Sequence, residues 1–146
     1  MVEICFEDIN EVPGVNSEFL FSWYSEVLEI EGKLFGDVTV IFCSDDYLLE
    51  MNKEHLDHDY YTVIITFDYT EGNVVSGDLF ISVDRVSDNA QVLKIPFVDE
   101  LHRVCVHGLL HLCGYKDKSE SDELLMRQKE DEMLDLRKFH VEHLKA

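Results

Sequence analysis

The hydrophobic pattern of this chain changes near residue 84, and this change limits the folds that the chain can adopt. Before that point, alternating or β-branched runs predict four strands, at residues 2–8, 37–44, 60–69 and 77–84. Two helices are predicted between them, at 16–32 and 45–54. After residue 84, apolar residues recur at helical spacing and predict helices at 84–95, at 97–113 and from about 120 toward residue 140. Strands that cluster early and helices that cluster late favour an α+β fold over a doubly wound one.

The length and composition predict one domain, residues 1–146, in the cytoplasm. A chain of 146 residues can bury one ordinary core, and 46% hydrophobic with 29% charged residues is typical of a soluble globular protein. No apolar run reaches the ~20 residues that cross a bilayer, and the acidic start is unlike a signal peptide. The four cysteines have no paired spacing, so we expect reduced thiols.

The net charge of -19 is unevenly distributed. Residues 1–84 carry 19 acidic residues and two lysines, whereas residues 85–146 carry 12 acidic and ten basic residues. Such acidity argues against nonspecific binding to nucleic acid, which depends on neutralising phosphates, but it leaves room for a local basic cleft. Solubility is the simpler explanation of most of this charge.

Two histidines four residues apart, His107 and His111, lie on the helix predicted at 97–113. At this spacing both side chains lie on one face of the helix, about 5–6 Å apart at Cβ, so both imidazoles can reach one ion. Gly114 permits the chain to reverse direction, since glycine adopts positive φ at little cost. Asp117, six residues beyond His111, can then approach the same ion. The sequence therefore predicts a site of two histidines and one aspartate.

The spacing H-x-x-x-H-x-x-G-x-x-D matches the ligand geometry of the long zinc-helix motif of metallopeptidases, with two replacements. Gly108 stands where those enzymes carry their general-base glutamate, which argues against peptide hydrolysis by the usual route. Asp117 stands in the third-ligand position, where its oxygen can bind zinc at about 2.0–2.2 Å and widens the choice of metal. Two helical histidines alone are more often ordinary core or surface residues, so the hypothesis depends on the continuation to Gly114 and Asp117.

Three blocks of the sequence resemble the YbeY family of bacterial metal-dependent endoribonucleases, which are implicated in ribosomal RNA maturation. HGLLHLCGYKD, residues 107–117, is similar to the family signature H-G-x-L-H-L-x-G-Y-D-H. MNKEHLDHDYYTVIITF (51–67) and GDLFIS (77–82) resemble two further family blocks in the same order. The matching positions in those blocks are Asn52, Asp59, Thr62, Phe67, Gly77 and Asp78. The resemblance spans about residues 35–135.

The resemblance implies a single α+β domain in which a small mixed sheet of about four strands packs with several helices, one of them a zincin-like metal helix. It implies that His107, His111 and Asp117 are catalytic metal ligands, with Asp117 in place of the family's third histidine. The implied activity is that of a single-strand-specific endoribonuclease in 16S rRNA 3′-end maturation and ribosome quality control, with rRNA or the small ribosomal subunit as partner. Zn²⁺, or another divalent metal, would polarise a phosphoryl oxygen or lower the pKa of an attacking water. Asp117 could instead act as a base if it is not a ligand.

The chain departs from the family pattern at three further positions. Leu56 falls where the family has an arginine, Val63 falls where it has an aspartate, and Lys116 replaces the aspartate before the third ligand. An arginine in such a cleft would bind phosphate or stabilise developing negative charge. Its replacement keeps a second hypothesis open, a ribosome-assembly binding module with a structural metal. A peptidase is the third hypothesis, against which Gly108 argues.

Other cations near the signature could take the place of that arginine. Arg103, Lys116 and His55 are the candidate substrate-binding residues, although solvated surface charge is the simpler explanation for each. Lys118, Arg85 and His58 are further candidates of the same kind.

Three remaining histidines are not expected to be ligands. His102, five residues before His107, lies on nearly another face of the helix. His140 and His143 are expected on an exposed terminal turn.

Overall fold

The computed structural model describes residues 1–56 and 60–144, which form a four-stranded sheet, five α-helices and two short 3₁₀ helices. The strands are β1 (Val2–Phe6), β2 (Leu34–Cys43), β3 (Ile64–Asp68) and β4 (Val74–Ser82). The helices are α1 (Ser17–Ile30), α2 (Asp45–Leu56), α3 (Val83–Leu93), α4 (Phe97–Leu112) and α5 (Glu120–Asp135), and the 3₁₀ helices are Leu136–Phe139 and Val141–Leu144. The predicted α+β class with a mixed sheet is confirmed. His58 and Asp59 lie outside the described residues. Among the described helices, none has both the length and the apolar character needed to cross a membrane.

The sheet has the strand order β1-β2-β4-β3 and combines both kinds of pairing. β1 and β4 run parallel to β2, with Ile4 opposite Val40 and Val40 opposite Leu79. β3 runs antiparallel to β4, with Ile65 opposite Phe80. The parallel neighbours β2 and β4 are separated in sequence by α2 and β3, as a parallel connection requires a crossover.

Helices cover both faces of the sheet, because successive side chains along a strand point to opposite sides. Leu79 and Ile81 of β4 are fully buried in the larger core cluster, on the face against which α4 packs. Phe80 lies on the other face, with Ile65 and with Leu48 of α2. Each fully buried aliphatic side chain contributes about 1.5–3 kcal/mol, so α4 is held firmly against the sheet.

Helix α1 joins the sheet to the two C-terminal helices. It begins after Asn16, whose side chain accepts a hydrogen bond from the backbone N–H of residue 19 at 2.8 Å and so caps the helix. The fully buried Trp23 donates its indole N–H to the Met133 carbonyl of α5 at 2.9 Å. Tyr24, also fully buried, donates its hydroxyl to the Cys105 carbonyl of α4 at 2.6 Å. These polar tips are satisfied inside the core, which fixes the position of α4 and α5 relative to α1.

Several strand boundaries differ from those that the pattern predicts. β3 begins at Ile64, four residues later than predicted, because its partner strand β4 ends at Ser82. The Ser82 hydroxyl caps α3 by accepting a hydrogen bond from the Arg85 backbone N–H at 3.1 Å. β2 and β4 each begin three residues earlier than predicted, at Leu34 and Val74, because these two residues pair with each other. Tertiary pairing sets these ends, which local propensity does not encode.

The expectation that His140 lies on an exposed turn is wrong. Its side chain is only 13% exposed, with Nδ1 2.6 Å from Ser22 Oγ and Nε2 2.6 Å from Glu26 Oε1. The His143 carbonyl accepts a hydrogen bond from the Asn16 side chain at 2.8 Å. The C-terminal 3₁₀ segment therefore packs back onto α1.

Candidate metal centre

His107 and His111 project from one face of α4, and Asp117 reaches them from the following loop. The two imidazole rings lie 4.5 Å apart at their centroids and are nearly perpendicular, at 84°. Asp117 Oδ2 lies 3.2 Å from His111 Nε2 and 3.5 Å from His107 Nε2. One ligand atom from each residue can be chosen so that all three lie within 4.8 Å of one another. The structure thus brings together the three residues that the sequence predicts as ligands.

A chain reversal at the end of α4 delivers Asp117 to this position. Gly114 has φ +107°, a conformation that side chains disfavour. Its N–H donates to the His111 carbonyl at 3.0 Å, and the Tyr115 N–H donates to the Leu110 carbonyl at 3.1 Å. These bonds satisfy carbonyls that a helix end leaves without partners. The reversal turns residue 117 back toward the face that carries the histidines.

Hydrogen bonds at the far side of each ring fix which nitrogen faces Asp117. His107 Nδ1 lies 2.7 Å from Glu130 Oε2, and His111 Nδ1 lies 2.9 Å from the Tyr115 carbonyl oxygen. A carboxylate and a carbonyl only accept, so both Nδ1 atoms carry the proton and donate. In the neutral ring the Nε2 atom is then an acceptor with its lone pair directed at Asp117. Partners of this kind set the tautomer and orientation of metal-binding histidines.

The convergence of three acceptors is the decisive chemical feature of this site. Two imidazole lone pairs and a carboxylate oxygen face one another, and none of these three atoms carries a proton to share when both rings are neutral. Such a group is stabilised by a cation placed between its members. Two nitrogens and one oxygen form a donor set that suits Zn²⁺ and leaves a fourth coordination position open. The residues present therefore fit a divalent metal.

Glu130 of α5 supports the site from a buried position. It is only 5% exposed, and its other oxygen accepts from Arg103 Nη1 at 2.9 Å. Burial raises the pKa of this carboxyl, but the hydrogen bonds from His107 and Arg103 outweigh it and hold the pKa below its usual range. Glu130 is therefore an anion that orients His107 and joins α5 to α4.

A second group of contacts holds the loop that follows α4. The Tyr115 hydroxyl donates to Glu31 Oε1 at 2.5 Å, and Lys129 Nζ lies 3.2 Å from Glu31 Oε2. This connection links the end of α1, the loop and α5. Because the Tyr115 carbonyl accepts from His111, the same contacts fix the orientation of the second histidine ring.

Similarity to known proteins agrees with this geometry. The family model described as Endoribonuclease YbeY matches residues 6–138. The chain belongs to this family. A relative named Endoribonuclease YbeY from Flavobacterium psychrophilum is 51% identical over 139 residues, covering 95% of this chain and 94% of the relative. One of the same name from Cytophaga hutchinsonii is 54% identical over 119 residues, covering 81% and 83%. The solution structure of TM1509 from Thermotoga maritima aligns with a TM-score of 0.65 at 25% identity, covering 100% of this chain and 96% of that one.

The YbeY family resemblance expected from the three sequence blocks is therefore confirmed. The relatives' names are those of an endoribonuclease, so the prediction of an enzyme of the hydrolase class is confirmed at the level of the family. The identity of the metal, the RNA and the cleavage site are not part of those names.

The three predicted substrate-binding residues of this YbeY-family chain lie in different surroundings. Arg103 is 21% exposed and forms ion pairs with Glu130 at 2.9 Å and Asp131 at 3.0 Å. Lys116 is exposed next to Asp117 in the loop. His55 is exposed on α2, with its ring 6.3 Å from that of Phe67, and lines a separate shallow cleft. Substrate binding by these three residues stays a prediction.

Two positions at which this chain departs from the YbeY pattern, Leu56 and Val63, lie in different parts of the structure. Leu56 is 42% exposed and lines a cleft of about 250 Å³ at the start of β3, together with Asn52 and Thr62. Val63 packs against the core. Arg85, considered as a replacement cation, is paired with Asp45 at 3.0 Å and with Asp88. Lys118 is exposed in the loop after Asp117.

Sequence reasoning did not find Glu130. A signal was nevertheless present, since Glu130 lies between Met126 and Met133 at helical spacing, and all three are buried on α5. A charged residue on the apolar face of an amphipathic helix requires a partner. The partners are two α4 residues, His107 and Arg103, more than twenty positions away in the sequence.

Proposed function

We propose that this protein is a metal-dependent endoribonuclease that cleaves single-stranded RNA during ribosomal RNA maturation, including the 3′ end of 16S rRNA, and in ribosome quality control. The convergence of two imidazole nitrogens and the Asp117 carboxylate carries the proposal, because this donor set fits a hydrolytic metal. The endoribonuclease name of its relatives supports RNA as the substrate class. Ribosomal RNA and the small ribosomal subunit are the proposed partners.

Each residue of the site has a defined part in this proposal. His107, His111 and Asp117 hold the cation, which we propose to be Zn²⁺, with another divalent metal as the alternative. When bound, the cation supplies Lewis acidity toward a phosphodiester and its attacking water. Glu130 keeps the His107 ring in its binding orientation, and the Tyr115 carbonyl does the same for His111.

The surroundings of Gly108 argue against peptide as the substrate class. A Cβ atom at this position would lie 2.8 Å from Ile64 Cδ1 and 2.9 Å from Leu79 Cδ1, so a longer side chain would collide with the sheet. Position 108 faces the core, and the general-base glutamate of metallopeptidases has no room there. Peptide hydrolysis by that route is therefore not proposed.

The proposed location is the cytoplasm. The four cysteines are free thiols in the structure. Burial raises the pKa of the Cys43 and Cys105 thiols to about 12, so neither is a reactive group. Inert reduced cysteines are consistent with a reducing compartment.

The test combines metal content with RNA cleavage. Wild type, His107→Ala and the matched control His143→Ala would be purified identically and checked for folding by circular dichroism. We expect wild type and His143→Ala to contain a stoichiometric divalent metal and to cleave a labelled single-stranded RNA, and His107→Ala to lose both properties. Equal cleavage by wild type and His107→Ala would identify a contaminating nuclease and refute the proposal.

Asp117 is tested by two substitutions. Asp117→His restores the family residue and is expected to keep metal binding, whereas Asp117→Ala is expected to reduce metal affinity by more than tenfold. Unchanged affinity in Asp117→Ala would show that Asp117 is not a ligand and would leave it free to act as a base.

A second candidate function is a ribosome-assembly binding module with a structural metal. The observation that favours it is the uncharged Leu56, 42% exposed in its cleft where the family pattern has an arginine. This candidate predicts that ribosome association survives His107→Ala and that the wild type, loaded with metal, cleaves no RNA.

A further inference from the structure

A cleft of about 750 Å³ lies beside the candidate metal centre, and Arg127 is the one arginine among the described residues that line it. The cleft is lined by His107 and Asp117 and, from α5, by residues that include Glu120, Glu123, Arg127 and Glu130. Arg127 has a side chain that is 60% exposed. The cleft therefore places an accessible guanidinium on the same concave surface as two of the three candidate ligands.

Arg127 makes no hydrogen bond to Glu130, the carboxylate with which it forms its ion-pair contact. Its Nη1 lies 4.0 Å from Glu130 Oε1, beyond hydrogen-bond distance. Glu130 is already satisfied at shorter distances, by Arg103 at 2.9 Å and by His107 at 2.7 Å. Among residues 1–56 and 60–144, no acceptor lies within hydrogen-bond distance of the Arg127 guanidinium, so its N–H groups can donate to an acceptor that enters the cleft. A guanidinium pairs with the oxygens of a phosphate in two parallel hydrogen bonds, a geometry that a lysine cannot provide.

The acidic residues of the cleft restrict what can bind there. Glu120 and Glu123 are both exposed at the first turns of α5. They would repel a broad polyanion, such as a duplex laid across the cleft. Asp117 and Glu130 add two more carboxylates to the lining, so Arg127 is the point at which a phosphate of a single strand finds a favourable partner.

We propose that Arg127 binds a phosphate of the RNA strand next to the metal centre, and that it is a substrate-binding residue of the reaction. The proposal rests on the proposed ribonuclease function. It differs from the sequence-based candidates, since Arg103 is held by two carboxylates and the structure places Arg127, not His55, in the cleft that His107 lines.

The test measures RNA binding and cleavage separately. Binding of a short labelled single-stranded RNA would be followed by fluorescence anisotropy in a chelator, at several salt concentrations, for wild type, Arg127→Ala and Arg127→Lys. Lys138→Ala is the matched control, because Lys138 is 61% exposed and lies outside this cleft. Cleavage would then be measured with metal present at subsaturating RNA, and metal affinity by competition with a chromogenic chelator.

We expect Arg127→Ala to weaken RNA binding about tenfold at low salt and to lower the slope of log K against log salt by about 0.7, the value for one phosphate on a single strand. Arg127→Lys should recover part of the affinity, and Lys138→Ala should stay within about twofold of wild type. Metal affinity should be unchanged in all variants.

Three outcomes would overturn the proposal. RNA binding and salt slope equal to wild type in Arg127→Ala would exclude a phosphate contact. A parallel loss in Lys138→Ala would show only the effect of net charge, and a loss of metal affinity in Arg127→Ala would show that Arg127 acts through Glu130. If Arg127→Ala behaves like wild type and wild type cleaves RNA, only the Arg127 proposal is refuted and the ribonuclease function stands. If wild type does not cleave RNA, the proposed ribonuclease function is refuted as well.

Discussion

His102 makes the stability of this protein depend on pH in a way that can be isolated by one substitution. The residue is only 2% exposed, and its Nε2 lies 2.7 Å from the Gly14 carbonyl oxygen. Its Nδ1 lies 2.9 Å from Arg137 Nη1, which can only donate. The neutral ring that donates from Nε2 and accepts at Nδ1 satisfies both neighbours. Protonation of Nδ1 would place one N–H against another inside the core.

The magnitude follows from the shift of the His102 pKa. Burial, opposed by the Gly14 hydrogen bond and reinforced by the charge of Arg137, lowers the pKa from 6.5 to about 4. Because the folded value lies below the unfolded value, the unfolded state takes up the proton first as pH falls. The stability is therefore complete above about pH 6.5 and is lost between about pH 6.5 and pH 4. From about pH 7.5 to about pH 4.5, this one group costs about 2.5 kcal/mol of unfolding free energy.

The assay compares wild type with His102→Gln, whose amide can donate to Gly14 and accept from Arg137 but does not titrate. Urea unfolding would be measured at both pH values, with a chelator present so that metal binding adds no pH dependence of its own. We expect wild type to lose about 2.5 kcal/mol more than the variant between the two pH values. Parallel losses in the two proteins, whatever their absolute stabilities, would refute the assignment of a neutral, buried His102.

Two further predictions concern α4, which carries both candidate histidine ligands, and α5, which packs against it. Glu130→Gln should lower metal affinity about tenfold to a hundredfold in a chelator competition, because His107 loses its anionic partner. The matched control is Glu132→Gln, which should leave metal affinity unchanged, since Glu132 lies on the same helix, α5, with its side chain 63% exposed. Gly108→Glu should lower the unfolding free energy by at least about 3 kcal/mol in urea, since it forces a carboxylate against Ile64 and Leu79, and a variant as stable as wild type would contradict this packing.

The sequence predicts this fold where local patterns dominate. Period-two runs and helical spacing identify the strands and helices, and Asn16 and Ser119 cap α1 and α5, as is typical of these residue types at helix N-termini. Strand ends such as Ile64 differ, because they depend on where β4 stops. The order of strands in the sheet was not predicted, since pairing between distant segments is decided by tertiary packing.

In the candidate site, too, locally determined features are predictable from the sequence and contacts between distant segments are not. His107, His111 and Asp117 come together because a helix turn and a glycine reversal, both local features, determine their geometry. The residues that orient them escaped prediction. Glu130 belongs to another helix, α5. The ion pairs of Arg103 with Glu130 and Asp131 form only when α4 and α5 pack together.

The dependence of His107 on Glu130 makes completion of the site depend on the docking of α5. Both histidines and Asp117 precede α5 in the chain, yet the carboxylate that orients His107 is 23 residues beyond it. A chain with a formed sheet and an undocked α5 would contain all three candidate ligands but would lack the hydrogen bond that orients the His107 ring. Metal uptake should therefore appear together with the docking of α5, and not before it. Refolding followed in parallel by Trp23 fluorescence, which reports the contact with α5, and by metal uptake should give one common rate.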